Sequence, residues 1–280
     1  MPPQSDTARW PELPYAAWKD TCETLHLWTQ VIGKVRLALT PWLNHSWHVT
    51  LQVTARGLGT PPITHQGRAF TIEFDFIDHV LWLRTSDGHF RQLMLKPMTV
   101  AEFYADVMMA LREIGIGVRI NEMPNEIPGA VPFPDDRTHA SYDRDFAQKF
   151  WRVLLSSHEV FSHFRTGFLG KVSPVHFFWG SFDLAVTRFS GRQRRRIRAA
   201  CRTCRTPWRA RPIRMRCRAR VFGRAAARSI IRRSILMPIR RRRALPQRRF
   251  NRPRRSIRKS WANSSCRMTR RGRHAIRRRC

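Results

Sequence analysis

The stretch 70-FTIEFDFIDHVLWLRTSDG-88 contains two predicted β-strands and the turns that follow them. Its first half alternates apolar residues with polar ones, and the apolar positions are Phe70, Ile72, Phe74 and Phe76. This period of two is typical of a strand with one buried face. A turn at Asp78-His79 leads into the apolar run VLWLR, and Ser86-Asp87-Gly88 is typical of a hairpin turn. The stretch predicts an antiparallel meander, which FRQLMLKP continues as a further strand.

The sequence before this stretch predicts one helix and one more strand. Apolar residues recur there at intervals of three and four, at Trp18, Cys22, Leu25, Trp28, Ile32 and Val35. That spacing is typical of one face of a helix, and Pro41 ends it. The segment SWHVTLQV, residues 46–53, then alternates in the manner of a half-buried strand.

The sequence after the meander predicts two more helices and a pair of strands. Thr99 and Glu102 have the spacing of a capping box, which begins a helix that Gly115 ends. A proline-rich loop over 121–136 precedes a third helix, and SPVHFFWGSFDLAVTRF, residues 173–189, indicates a strand, a bend and a strand. Together these elements predict an α+β fold in which helices pack on one face of an antiparallel meander, incomplete at its C-terminal end.

Charge divides the 280-residue chain into two unlike parts. Residues 1–190 contain 18 Lys and Arg and 19 Asp and Glu, whereas residues 191–280 contain 35 basic residues and no acidic one. Of those 35, only Lys259 is a lysine. We therefore predict an α+β domain over residues 1–192 and an unstructured Arg-rich segment over residues 193–280.

The Arg-rich segment has two explanations. Its charge could bind nucleic acid through phosphate contacts, and Trp208 or Trp261 could stack on bases. The alternative is a one-base shift in a GC-rich gene, because GCC and CCG codons read out of register become CGC and CGG, which encode arginine. The abrupt change after Arg192 and the near absence of lysine favour the shifted frame, since a phosphate accepts either cation.

Five stretches before Arg192 resemble a known family. They are WPELPYAAWKDTCETLHLWTQ, KVRLALTPWLNHSW, FTIEFDFIDH, RTHASYD and SPVHFFWGSFDLAVTRFSGR. Over about residues 10–192 the chain resembles an uncharacterised bacterial family described as domain of unknown function 5996. The resemblance implies no activity. It implies a proline-rich loop and more strands after SGR, and from there the present sequence departs from that pattern.

Three polar residues interrupt the apolar segment HFFWGSFDLAVTR and are the first candidates for a functional site: His176, Asp183 and Arg188. Burying an unpartnered polar group is costly. In one interpretation they form a pocket, with His176 as base or hydrogen-bond donor and Arg188 holding an anionic group. In the other, which we favour, they are satisfied within the core and Asp183 pairs with Arg188.

A second set, His48, Glu73 and Asp75, is a weak candidate for binding Zn or Fe(II). The same residues suit the solvated face of a sheet, and no HExxH-like spacing fixes a geometry. We therefore predict no metal and no cofactor. Cys22 lies on an apolar helix face, which predicts a buried thiol.

Several classes of protein are disfavoured by what the sequence lacks. It contains no GxGxxG, no Walker lysine motif and no GxSxG. It has no secretory signal and no apolar run long enough to span a membrane, so we expect a cytoplasmic protein. We expect its partner to be a small molecule or a protein, with nonspecific nucleic-acid binding through the Arg-rich segment.

Overall fold

The computed structural model describes residues 9–193 and 215–223, which belong to one compact unit, Met1–Met237. Within these residues the chain forms three helices: α1 (Tyr15–Leu39), α2 (Val100–Glu113) and α3 (Arg144–Thr166). The strands described are β1 (Gln52–Val53), β2 (Gly57–Gly59), β3 (Ile63–His65), β4 (Arg68–Asp75), β5 (Val80–Thr85), β6 (Phe90–Met94), β7 (His176–Phe178), β8 (Asp183–Gln193) and β9 (Met215–Gly223). The predicted α+β class is confirmed.

The first sheet is an antiparallel meander. Its strand order is β1-β2-β4-β5-β6, and β3 also pairs with β4. Strands β4 and β5 run in register from Phe70 opposite Thr85 to Asp75 opposite Val80. The chain turns between them over residues 76–79, where His79 has a left-handed φ of 57°. The predicted pair of strands and the turn between them are therefore confirmed.

One face of the first sheet packs against the helices through aromatic rings. Phe70, Ile72 and Phe74 of β4 are buried. The ring of Phe74 lies 6.2 Å from that of Phe103 on α2, which stacks at 4.6 Å on Trp28 of α1. Burying each such side chain contributes about 1.5–3 kcal/mol. This column of rings joins the sheet and two helices into one core.

Side-chain caps define where α2 and α3 begin. Thr99 Oγ1 accepts a hydrogen bond from the Glu102 N–H at 3.1 Å, and the Glu102 carboxylate accepts one from the Thr99 N–H at 2.8 Å. Asp143 accepts one from the Phe146 N–H at 2.9 Å. These bonds satisfy N–H groups that have no partner within the helix. The predicted capping box is confirmed.

The second sheet has the order β7-β8-β9 and is also antiparallel. A turn over residues 179–182 joins β7 to β8, as the sequence predicts. Leu51 forms an isolated bridge with Phe177, so the segment just before β1 lies beside β7. This bridge places the 41–50 loop next to the second sheet.

The strand predicted over 46–53 is shorter than expected, because only Gln52–Val53 forms β1. Upstream of it, Asn44–Ser46 is a 3-10 turn, and His48 Nδ1 lies 3.1 Å from the Leu43 backbone nitrogen. Local contacts thus satisfy this backbone without a neighbouring strand. His48 and Thr50 are buried, so the expected alternation of burial is absent as well.

Strand β9 lies within the segment predicted to be unstructured. Residues 215–221 alternate apolar residues with arginine, which is the period of a strand. Its backbone pairs with β8 from Cys217 opposite Phe189 to Gly223 opposite Asp183. At Met215–Gly223 the structure therefore corrects the prediction made for 193–280. The other residues from 194 onward lie outside the described residues.

Candidate functional site

His176 is the first residue of β7, and only 3% of its surface is exposed. Its Nδ1 lies 3.3 Å from Thr50 Oγ1, and the Thr50 hydroxyl donates to the Trp47 carbonyl oxygen at 3.3 Å. The Thr50 oxygen is then placed to accept from Nδ1–H, and this leaves Nε2 as the unprotonated nitrogen. The 41–50 loop and Thr50 thus orient the imidazole and select its tautomer.

Arg36, in the last turn of α1, brings a guanidinium group to the same place. The residue is 7% exposed, and its Nη1 donates to the Thr50 carbonyl oxygen. Its Nε is buried and has no hydrogen-bond partner. Burial lowers the pKa of Arg36 to about 10, because the cation loses hydration that other groups only partly replace.

Arg165, near the end of α3, adds a second guanidinium whose charge acts on His176. Burial, and then the charges of Arg36 and Arg165, lower the pKa of His176 to about 4. His176 is therefore neutral at neutral pH. Arg165 also has a buried Nε without a partner, and neither arginine forms an ion pair with any carboxylate of the described residues. We call Arg36, Arg165 and His176 the basic cluster.

Aromatic rings lie beside the basic cluster. The ring centroid of Trp47 is 6.1 Å from that of His176 and 6.2 Å from that of Phe189. The His45 ring contacts both, with its centroid 5.5 Å from that of Trp47 and 4.9 Å from that of Phe189. The Lys171 ammonium lies 5.5 Å from the Trp47 centroid and 4.9 Å from that of Phe189. We call His45, Trp47 and Phe189 the aromatic wall.

The predicted set of His176, Asp183 and Arg188 does not converge. Asp183 and Arg188 are five residues apart on β8, and successive side chains of a strand point to opposite faces. Asp183 accepts a hydrogen bond from the Ser181 hydroxyl, and the Arg188 guanidinium stacks 3.5 Å from the Phe164 ring centroid. The expected pairing of Asp183 with Arg188 is thus absent among the described contacts. Only His176 of the three belongs to the basic cluster.

Asp183 instead has a carboxylate neighbour. Burial raises its pKa, the hydrogen bond from Ser181 partly opposes this change, and the charge of Glu126 adds to the increase. Glu126 packs on the same turn, because a Cβ added at Gly180 would lie 3.2 Å from its Oε1. The polar surroundings of Asp183 thus come from the turn between β7 and β8, and no ion pair is described for its carboxylate.

The predicted metal candidates His48, Glu73 and Asp75 are each held by other partners. His48 is buried beside Leu43, and Arg84 lies 3.3 Å from the Glu73 carboxylate. Asp75 accepts from Arg56 and from two backbone N–H groups of the turn that follows. Among the residues that the structure describes, no three His, Cys, Asp or Glu side chains form a group that could hold a metal ion.

A further row of buried polar side chains lies on α1. His26, Gln30 and Lys34 are spaced one helical turn apart and are almost fully buried. Gln30 and Lys34 bind the proline-rich loop, and the Lys34 ammonium donates to the Met123 carbonyl at 2.7 Å. Burial lowers the pKa of Lys34 to about 8. These groups have backbone partners, in contrast to the unpartnered Nε atoms of the basic cluster.

The sequence analysis did not identify Arg36 and Arg165 as site residues, although the position of each relative to apolar residues is informative. Arg36 stands four residues after Ile32, and Arg165 stands four residues after Phe161. Both therefore lie at helical spacing from residues on a buried face. A cation at such a position is unusual, because burying a charge is costly unless something compensates it.

One prediction about an individual side chain is tested directly. Cys22 is buried at 1% exposure, as its helix face predicts. None of the helices within the described residues combines the length and the apolar character needed to cross a membrane.

Comparison with known proteins identifies a family without identifying a reaction. The family described as "Family of unknown function (DUF5996)" matches residues 10–209. The match begins where the resemblance predicts and extends past Arg192. No curated protein matches the chain, and neither does any solved structure. The molecular function of the protein is therefore unknown, and its basic cluster has no described counterpart in those comparisons. The match spans well over half of the chain, and the protein accordingly belongs to the DUF5996 family.

Proposed function

We propose that the domain binds a small anionic molecule at the basic cluster. The observation that carries this proposal is Arg36, a buried guanidinium with an unpartnered Nε and no ion pair with a described carboxylate. An uncompensated buried charge costs several kcal/mol. A bound anion offsets that cost, and it does so most strongly where water is already excluded.

Each residue of the cluster has a distinct role in this proposal. Arg36 is held by the Thr50 carbonyl, so its fork is oriented before the ligand arrives. Arg165 supplies a second charge, and guanidinium groups bind carboxylate and phosphate oxygens with two parallel hydrogen bonds. His176 is neutral when the site is empty, and an anion beside it favours the imidazolium form. The site therefore gains a third donor on binding.

Sulfate is a suitable probe, because its charge is constant across the pH range in which histidine titrates. The full chain with carbon-13-labelled histidine is titrated with sulfate in about 0.3 M NaCl, which screens exposed arginines. The His176 resonance, assigned by its loss in His176→Asn, is expected to shift on binding. The dissociation constant is expected to fall severalfold between about pH 7.5 and about pH 5.5, because protonated His176 attracts the anion.

Two arginine variants test the assignment to this site. Arg165→Met is expected to weaken sulfate binding roughly tenfold, which corresponds to about 1.4 kcal/mol. Arg152→Met is the matched control, because Arg152 lies on the same helix, is exposed and has no role in the cluster. Equal affinities in the two variants, or an unmoved His176 resonance in the unmodified chain, would contradict an anion site here.

For the Arg-rich segment we propose a shifted reading frame and not a selected nucleic-acid module. Support comes from the composition, in which 35 basic residues after residue 190 include one lysine and no acid accompanies them. On this proposal any nucleic-acid binding is nonspecific and is lost in moderate salt. We also propose that the protein is bacterial and cytoplasmic, and that its partner is a small molecule or a protein.

The coding DNA around Arg192 tests the shifted frame. Restoring one base there is expected to replace the arginines by a sequence with balanced charge and a proline-rich loop. Relatives that carry the same Arg-rich ending in an intact gene would contradict the proposal. They would favour the alternative, a nucleic-acid-binding protein that acts through this segment.

A further inference from the structure

We infer that the anion bound at the basic cluster is carried by a planar aromatic ring, as in an aromatic carboxylate or an aryl phosphate. This inference rests on the proposed anion site and deepens it by naming the class of ligand. It comes from a separate observation, the aromatic wall that His45, Trp47 and Phe189 form beside His176.

The three rings of the wall contact one another, and part of Trp47 stays exposed. Trp47 is half-buried, and its plane is inclined by 64° to His176 and by 61° to Phe189. A flat ring that packs against the exposed part of Trp47 beside His176 brings its anionic group toward the guanidinium groups that act on His176. Offset stacking of this kind adds to the free energy of burying the ring.

Backbone conformation supports a functional role for this wall. His45 and Ser46 have left-handed φ angles of 61° and 58°, which non-glycine residues seldom adopt. Two consecutive residues in this region carry a conformational cost that the surrounding structure must offset. These two residues directly precede Trp47, whose ring contacts His176 and Phe189. Strained backbone of this kind is typical of ligand-contacting loops.

Charge selects an anionic aromatic ligand over a cationic one. The exposed Lys171 ammonium lies over both Trp47 and Phe189, so the rings already have a cation beside them. Arg36 and Arg165 lie near the same His176. A cationic ligand would meet like charges from each of these groups, whereas an anionic ring gains from them.

The experiment compares benzoate with acetate, and phenyl phosphate with inorganic phosphate, by the shift of the His176 resonance in the full chain. Benzoate and phenyl phosphate are expected to bind roughly tenfold more tightly than the probes without a ring. Trp47→Leu is expected to reduce that ratio to about twofold or less. Trp42→Leu, in the same loop but outside the wall, is the matched control and is expected to keep the ratio.

Contacts between benzoate ring protons and the Trp47 indole, measured by intermolecular nuclear Overhauser effects, test the inference in the unmodified chain. These contacts are expected at saturating benzoate and require no variant to fold. Equal affinities for benzoate and acetate would contradict an aromatic ligand but would not contradict the anion site. Failure of every anion to shift His176 overturns the anion site, and the aromatic inference with it.

Discussion

Cations beside the first sheet and cations beside the second sheet are neutralised in different ways. Four arginines of the first sheet and its turns each contact a carboxylate: Arg56, Arg68, Arg84 and Arg91. Four cations beside the second sheet contact no carboxylate of the described residues: Arg36, Arg165, Arg188 and Lys171. Arg36 contacts a carbonyl group, Arg188 and Lys171 contact aromatic rings, and the buried Nε of Arg165 has no partner. These cations of the first sheet are thus balanced by carboxylates, whereas the four beside the second sheet have no carboxylate partner among the described residues.

This difference separates charges that serve the fold from charges that are available to a ligand. A carboxylate partner close to an arginine satisfies both groups and leaves little attraction for anything else. Arg36 costs stability because it is buried without such a partner. Proteins retain such costs most often at binding sites.

The largest expected effect comes from removing the buried carboxylate of the first sheet. Asp75→Ala is expected to lower the free energy of unfolding by roughly 3–4 kcal/mol, because Arg56 and two backbone N–H groups lose their acceptor. Arg36→Met is expected to leave it unchanged or to raise it by up to about 3 kcal/mol, since an apolar chain of similar size replaces an uncompensated charge and only the hydrogen bond to Thr50 is lost. Urea unfolding followed by tryptophan fluorescence measures both.

Asp78→Ala is the matched control for Asp75, because Asp78 also contacts Arg56 but is mostly exposed. Its expected effect is below about 0.5 kcal/mol. Comparable losses of stability in Asp75→Ala and Arg36→Met would remove the contrast between the two sheets.

The next effect is a dependence of stability on pH that arises at His176. Its folded pKa of about 4 lies below the ordinary value of 6.5, so the unfolded chain binds the proton more readily between these values. This contribution is fully present above about pH 6.5 and is lost as the pH falls toward 4, to a total of about 3 kcal/mol. Unfolding measured at a series of pH values is expected to show this loss, and His176→Asn is expected to remove it.

The two regions lose stability at different pH values, and Asp87 of the first sheet shows the difference. Hydrogen bonds from Thr85 and Arg68 lower the pKa of Asp87 to about 2. Its contribution is therefore lost only as the pH falls below its ordinary value, after that of His176 has disappeared. In Asp87→Asn the loss of stability that arises at His176 as the pH falls toward 4 is expected to remain. A variant that loses both the His176 and the Asp87 contributions to the pH dependence would show that the two regions are not independent.

A smaller effect of the same sense is expected at Lys34, at higher pH. Its pKa of about 8 lies below the ordinary 10.5, so the unfolded chain holds the proton more tightly and stability rises with pH between these values. Solvent screening limits the gain to about 1 kcal/mol. Lys34→Met is expected to flatten the unfolding free energy over this range. A rise that persists in the variant would assign it to another group.

The smallest effect is expected from an exposed ion pair of the first sheet. Glu73→Gln breaks the contact with Arg84, whose guanidinium also stacks 4.3 Å from the Trp82 ring centroid. The expected loss is below about 0.5 kcal/mol and is smaller at high salt, because both groups are partly solvated. A loss of several kcal/mol in urea unfolding would mean that surface charges also support this sheet.

Much of the fold follows from periodicity, and the exceptions have local causes. The alternation from Phe70 to Phe76 predicts β4, and the Thr99 capping box predicts the start of α2. Alternation over 46–53 misleads, because His48 and Thr50 make contacts that hold a turn and not a strand. Alternation over 215–221 is real, but it lies within an Arg-rich composition that predicts an unstructured segment.

The candidate site is less predictable than the fold. His176 stands out in the sequence because it interrupts an apolar run. Its predicted partners Asp183 and Arg188 lie close in sequence, but strand geometry sends their side chains to opposite faces of β8. The partners that the structure supplies are Arg36 and Arg165, which come from the ends of α1 and α3.

The amino-acid sequence alone determined the types of most elements, their order and the division of the chain by charge. These properties depend on neighbouring residues, whose spacing decides which side of a helix or strand is apolar. Only the tertiary structure decided that residues 36, 50, 165 and 176 meet, and that their cations meet without a described carboxylate. Packing of distant elements sets such distances, and no local pattern records them.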